Sequence, residues 1–187
     1  MSRLITSLML LCLALWFAFV VAGAISAAVT FTVLPPLEPR IPGFDVLDSK
    51  AMGRLVAGLA TEPIFKIADW AQLFFCLVLV GLLWLHPPGR WLHQRLLRRF
   101  FGGSVAAATL LLIGRAWLVQ PPMQDDLLRY REAASMGNLD LAQEAVAAFE
   151  QWHHIAELLW GLTGLALLVA LAMLGAHLGR SGMRQEP

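Results

Sequence analysis

The chain has 187 residues, 58% of them apolar and 14% charged, with a mean hydropathy of +0.67 and a formal net charge of +1. Soluble domains carry about 25% charged and about 45–50% apolar residues, and here the apolar excess is gathered into long uncharged runs, the mark of an integral membrane protein. A large water-filled enzyme core, a nucleic-acid module and a disulfide-stapled secreted domain are excluded. No basic field exists to hold a polyanion, and Cys12 and Cys76 both lie inside apolar runs without a C-x-x-C or metal-cluster spacing.

A hydrocarbon core of about 30 Å needs about 20 helical residues, and four segments meet that length. The first covers residues 4–34 without a charge and is longer than a span requires, so it tilts or continues beyond the bilayer. Pro35 and Pro36, which cannot donate a backbone N–H, are expected to stop it. The rival reading is a secretory signal peptide with Arg3 as its basic start and a cleavage site near Ala22-Gly23-Ala24 or Ala28. The apolar stretch far exceeds the usual 7–15 or so residues of such a peptide, so an uncleaved helix is expected.

The loop 35–63 opens with prolines, turns at Pro42-Gly43, and then offers Asp48 or Ser49 as the cap of a short helix through Ala60. Met52, Leu55, Val56 and Leu59 form its apolar stripe. The second span covers 64–85 and ends at His86-Pro87-Pro88. In the following segment Trp91, Leu92, Leu96 and Phe100 recur at spacings of one and four. A short helix lying in the headgroup layer would place Arg90, Arg95, Arg98 and Arg99 against anionic lipid; the plainer reading is a basic loop that fixes topology. The third span, 100–119, is expected to end at Pro121-Pro122. Two short helices follow, 123–135 and 139–151, broken at Gly137-Asn138. The second runs straight into the fourth span, 152–178, which leaves a polar tail.

Basic residues sort by side. Arg3, Arg90, Arg95, Arg98, Arg99, Arg180 and Arg184 share one side with a single acid, Glu186. Arg40, Lys50, Arg54, Lys66, Arg129 and Arg131 share the other with nearly all the carboxylates. The positive-inside rule then places both termini and the middle loop in the cytoplasm, in a bacterial inner membrane if the source is bacterial. The expected fold is an all-α, four-helix transmembrane bundle with short interfacial and loop helices, residues 1–187 forming one membrane domain. Small residues four apart, such as Gly103/Ala107 and Ala166/Ala170, suit close helix packing. No internal repeat supports an inverted-repeat transporter.

The chemical lead is a set of ionisable residues at one depth. Threading puts Lys66 and Asp69 at the outer end of the second span, Arg115 near the outer end of the third, and His153, His154 and Glu157 at the outer start of the fourth. Arg115 can snorkel outward or pair with Glu157 or Asp69. Helical spacing puts Glu157 on the face of His153 and His154. One reading is a structural clamp, an arginine–carboxylate pair with histidine donors holding three helices in register. The other is a small ion-binding vestibule or proton relay. No metal site is expected, because His153, His154 and Glu157 cannot converge on one ion from one helix. His86 and His177 are the pair a b-type haem would need, but both sit at helix ends beside Pro or Gly, so no cofactor is expected. No nucleophile motif, phosphate loop or H-E-x-x-H helix is present, and catalysis is not expected.

Phe149-x-x-Trp152-His153 at the opening of the last span, Phe31-x-x-x-Pro35 closing the first, and Ala51-Met52-Gly53-Arg54-Leu55-Val56-Ala57-Gly58 before the second resemble a known group. The layout is similar to that of the small four-helix membrane protein family that includes human transmembrane protein 205. The family's F-x-x-L-H maps to Phe149 and His153, with Trp152 in place of Leu, and Ala156 stands where a small hydroxyl residue often follows. The resemblance implies a multi-pass membrane domain of unassigned activity. The expected function is a non-catalytic accessory or structural membrane component. The alternative is a small transporter or channel component binding an ion at Asp69, Arg115, His153, His154 and Glu157. Expected partners are membrane lipid and a membrane protein or a second copy of the chain, with no nucleic acid.

Overall fold

A computed structural model describes residues 2–88, 92 and 94–183. Arg90, Trp91 and His93 of the basic segment, with Arg184 and Glu186 near the C-terminus, lie outside the described residues, as do the side chains of Arg3 and Arg180. The fold is all-α. Helix α1 (Ser2–Val33) is followed by a 3-10 turn (Pro35–Leu37), α2 (Ser49–Leu85), α3 (Arg95–Gly114), a π-helical turn (Arg115–Val119), α4 (Gln120–Ser135) and α5 (Leu139–Met183). Because α3, the π turn and α4 run on as one helix, the described residues hold four helices long and apolar enough to cross a membrane. They suggest a multi-pass integral membrane protein.

Local chemistry accounts for most of the ends. Pro35 opens the 3-10 turn after α1, and Glu38 closes it in the left-handed region (φ 48°), its N–H donating to Pro35 O at 3.1 Å. Asp48 caps α2: its Oδ1 accepts from the Ala51 N–H at 2.7 Å. Between α4 and α5, Gly137 takes φ 77° and completes a Schellman turn. Its N–H donates to Ala134 O (3.2 Å) and that of Asn138 to Ala133 O (2.9 Å). Asn138 then caps α5 through Oδ1, which accepts from Leu141 N–H at 3.2 Å.

Three expected boundaries are corrected. The helix opening at Asp48 does not stop at Ala60 but continues through Pro63 into the second span, a single helix of 37 residues. Pro63 forfeits one backbone donor, the one that would reach Leu59 O, yet both flanks are helical and the helix runs on through it. Pro121 and Pro122 do not end the third helix either. A π turn precedes them, with the Gln120 N–H reaching back to Arg115 O, and the prolines fall in the first turn of α4, where missing donors cost least. Finally, Arg95, Arg98 and Arg99 do not lie on a separate headgroup helix; they belong to the opening of α3 itself.

The chain divides into two compact units. The first, Met1–Val21, Asp69–Leu112 and Trp160–Pro187, draws on four helices. Its core holds Met9, Leu13, Trp16, Leu79, Phe101, Leu112, Leu167 and Leu174, all at most 1% exposed. The Trp160 indole N–H donates to Val20 O at 2.8 Å and ties α5 to α1. Cys12 and Cys76 are free and buried here, the Cys76 Sγ lying 3.5 Å from the Thr109 hydroxyl. The outside of this unit is apolar as well: Phe74, Leu77, Leu110 and Leu165 are exposed. Surfaces of that kind are stable when lipid is the solvent.

The second unit, Ala22–Ala68 and Ile113–Leu159, has a smaller core of Leu47, Met52, Leu55, Tyr130, Ala133, Ala134, Ala142 and Ala145. Eleven of the 13 acidic residues belong to it, all but Asp69 and Glu186. At Gly53 the start of α2 comes so close to Pro35 that an added Cβ would sit 2.6 Å from Pro35 Cα.

A polar cluster built on α2, α4 and α5

The ionisable residues singled out from spacing fall into separate arrangements. On α5, Phe149, His153 and Glu157 follow one another at intervals of four, so their side chains share a face. The Phe149 and His153 rings stack at 5.4 Å with 17° between their planes. His153 Nε2 lies 3.2 Å from Glu157 Oε1, and His154 Nδ1 lies 3.5 Å from Glu157 Oε2. The structure thus brings His153, His154 and Glu157 together, all from one helix. Glu157 and His154 are well exposed, with 60% and 78% of their side chains open, so each contact is worth at most a few tenths of a kcal/mol, about 0.3–0.5.

Arg115 is buried, 6% exposed, as the first residue of the π turn. Asp69 is half-buried on α2, in the other compact unit. Lys66 is exposed, and its ammonium bonds the Glu62 carboxylate one turn earlier at 2.8 Å. His86 follows directly on α2, its N–H donating to Leu82 O at 2.9 Å, and His177 lies within α5.

Spacing alone missed the residues that hold the second unit's helices to one another. Glu62 accepts from Lys66 through Oε1 and from Arg131 of α4 through Oε2 at 3.0 Å. The Arg131 side chain is 20% exposed and that of Glu62 35%, which makes this the least solvated cross-helix pair among those measured in the unit. Arg54 of α2 reaches Glu150 of α5 at 3.5 Å with both side chains more than half open. Arg129 and Asp126 pair within α4 at 3.8 Å. The Glu62–Lys66 contact is legible as an i,i+4 pair; Arg131 lies 69 residues away and carries no such signal.

Chemically the set is a collection of carboxylates, each within 4 Å of one or two basic side chains. Among the described residues no three His, Cys, Asp or Glu side chains form a group that could hold a metal ion. Comparison with protein-family models, with curated proteins and with solved structures gives no match to this chain.

Proposed function

We propose that the chain is a non-catalytic accessory or structural component of a membrane, of the kind its resemblance to the small four-helix family implies. The four long apolar runs cross the membrane, and the two larger loops, which carry nearly all the carboxylates, face the outer aqueous side. Both termini and the basic opening of α3 face the cytoplasm, in a bacterial inner membrane, following the sorting of arginine. The observation that carries this reading is the Glu62–Arg131 contact, with Arg54–Glu150 beside it. These ion pairs spend the second unit's charges on joining α2 to α4 and to α5, as a clamp does, and the partner it serves is a membrane protein or a second copy.

The experiment combines charge reversal with flux. Glu62→Arg lowers the amount of folded full-length protein recovered from membranes, and adding Arg131→Glu restores part of it, the rescue being worth about 1 kcal/mol for a pair of this exposure. In proteoliposomes the protein passes no ions, with or without Glu157→Gln. Ion flux that Glu157→Gln abolishes, with folded protein undiminished, would establish the alternative: a small transporter or channel component with its site at His153, His154 and Glu157.

A further inference from the structure

Within the first unit an open cleft of about 410 Å³ runs between α3 and α5. Arg99, Gly103, Ala107 and Leu111 form one wall, four residues apart and therefore on one face of α3. Leu162 and Val169 mark the two ends of the α5 wall. Glycine and alanine at the two central positions of the α3 wall leave the cleft its depth. The charged residue lining it is Arg99, an exposed side chain at one end, with Arg95 and Arg98 on the same opening turns of α3.

We propose that this cleft binds one anionic phospholipid, an acyl chain lying along the small-residue wall and the phosphate on Arg99. Twelve residues separate Arg99 from Leu111, which is about 18 Å of helix at 1.5 Å per residue. One leaflet of a hydrocarbon core of about 30 Å is about 15 Å deep, so a chain whose headgroup meets the guanidinium ends near Leu111. The guanidinium offers forked donors that match a phosphate. A second copy fits less well: two chains related by an axis along the membrane normal would bring two Arg99 side chains to the same depth, like charge against like. This inference concerns the first unit and holds whether the second acts as a clamp or as an ion site.

The test uses full-length protein in detergent, titrated with dioleoyl phosphatidylglycerol or dioleoyl phosphatidylcholine, with bound lipids counted by native mass spectrometry. Wild type binds the first phosphatidylglycerol about fivefold more tightly than phosphatidylcholine, the effect of one basic residue near a lipid surface. Arg99→Gln removes that preference, whereas Arg98→Gln, outside the cleft, keeps it. Gly103→Leu fills the cleft and removes one bound lipid of either kind; a Cβ at Gly103 meets no atom within 4 Å, so the new side chain starts into open space, and circular dichroism checks that the variant is folded. Equal affinity for the two lipids in wild type overturns the proposal, as does equal loss in Arg98→Gln or an unchanged lipid count in Gly103→Leu. Efficient disulfide crosslinking between copies carrying Gly103→Cys in vesicles also overturns it, because a second chain would then cover this face.

Discussion

Replacing Gly53 by alanine tests the close approach of α2 to the turn after α1. An added Cβ would lie 2.6 Å from Pro35 Cα, 2.9 Å from Pro35 Cβ and 3.3 Å from Pro35 O. Carbon atoms in good contact stand about 3.5–4.0 Å apart, so the backbone at Pro35 or the first turns of α2 must shift by about 1 Å. Neither is the far end of a flexible side chain. Overpacking of this kind costs about 1–3 kcal/mol, while alanine gains about 1 kcal/mol over glycine inside a helix. The net expectation runs from no change to a loss of about 2 kcal/mol. Gly58, five residues along the same helix, has open space where a Cβ would go, so Gly58→Ala collects only the helix gain. The two variants should therefore differ by the overpacking cost alone, about 1–3 kcal/mol. At about 2–4 °C per kcal/mol for a chain of this size, thermal unfolding of full-length protein in detergent, followed by circular dichroism, separates them by about 2–12 °C. Equal midpoints would refute the reasoning, since the same substitution in the same helix would then be indifferent to Pro35.

Other outcomes follow from single contacts. Gly137→Ala forces a side chain into φ 77° and lowers stability by about 1–2 kcal/mol; Gly137→Asn loses less, because asparagine enters that region more readily, and paired thermal melts read the difference. Trp160→Phe keeps a six-membered aromatic ring but loses the indole N–H and its 2.8 Å bond to Val20 O, a cost of at least about 1 kcal/mol that chemical denaturation of the full chain measures against wild type.

Much of the layout could be read without coordinates because lipid imposes it. A backbone crossing hydrocarbon must satisfy its own hydrogen bonds, so each apolar run of sufficient length becomes a helix. Local hydrogen-bonding chemistry is just as legible. Asp48 as the cap of α2 and Gly137-Asn138 as the break before α5 depend on residues at most five apart, and both stand where spacing put them. The prolines misled for a physical reason. A proline weakens a helix locally, but whether the helix ends there depends on what its neighbours contribute. At Pro63 helix on both sides carries the chain through, and before Pro121 the backbone widens into a π turn.

The polar cluster divides along the same line. His153, His154 and Glu157 meet because three and four residues bring side chains to one face of a helix, a relation any sequence displays. The contact of Glu62 with Arg131 and that of Gly53 with Pro35 join positions on different elements. Composition and periodicity by themselves determined that the chain is α-helical, which stretches suit lipid, and where several helices begin. Tertiary structure decided which helices run on through their prolines and which charges find each other. Those outcomes depend on the rotation and register of one helix against the next, and these are set by packing at distances that periodicity does not encode.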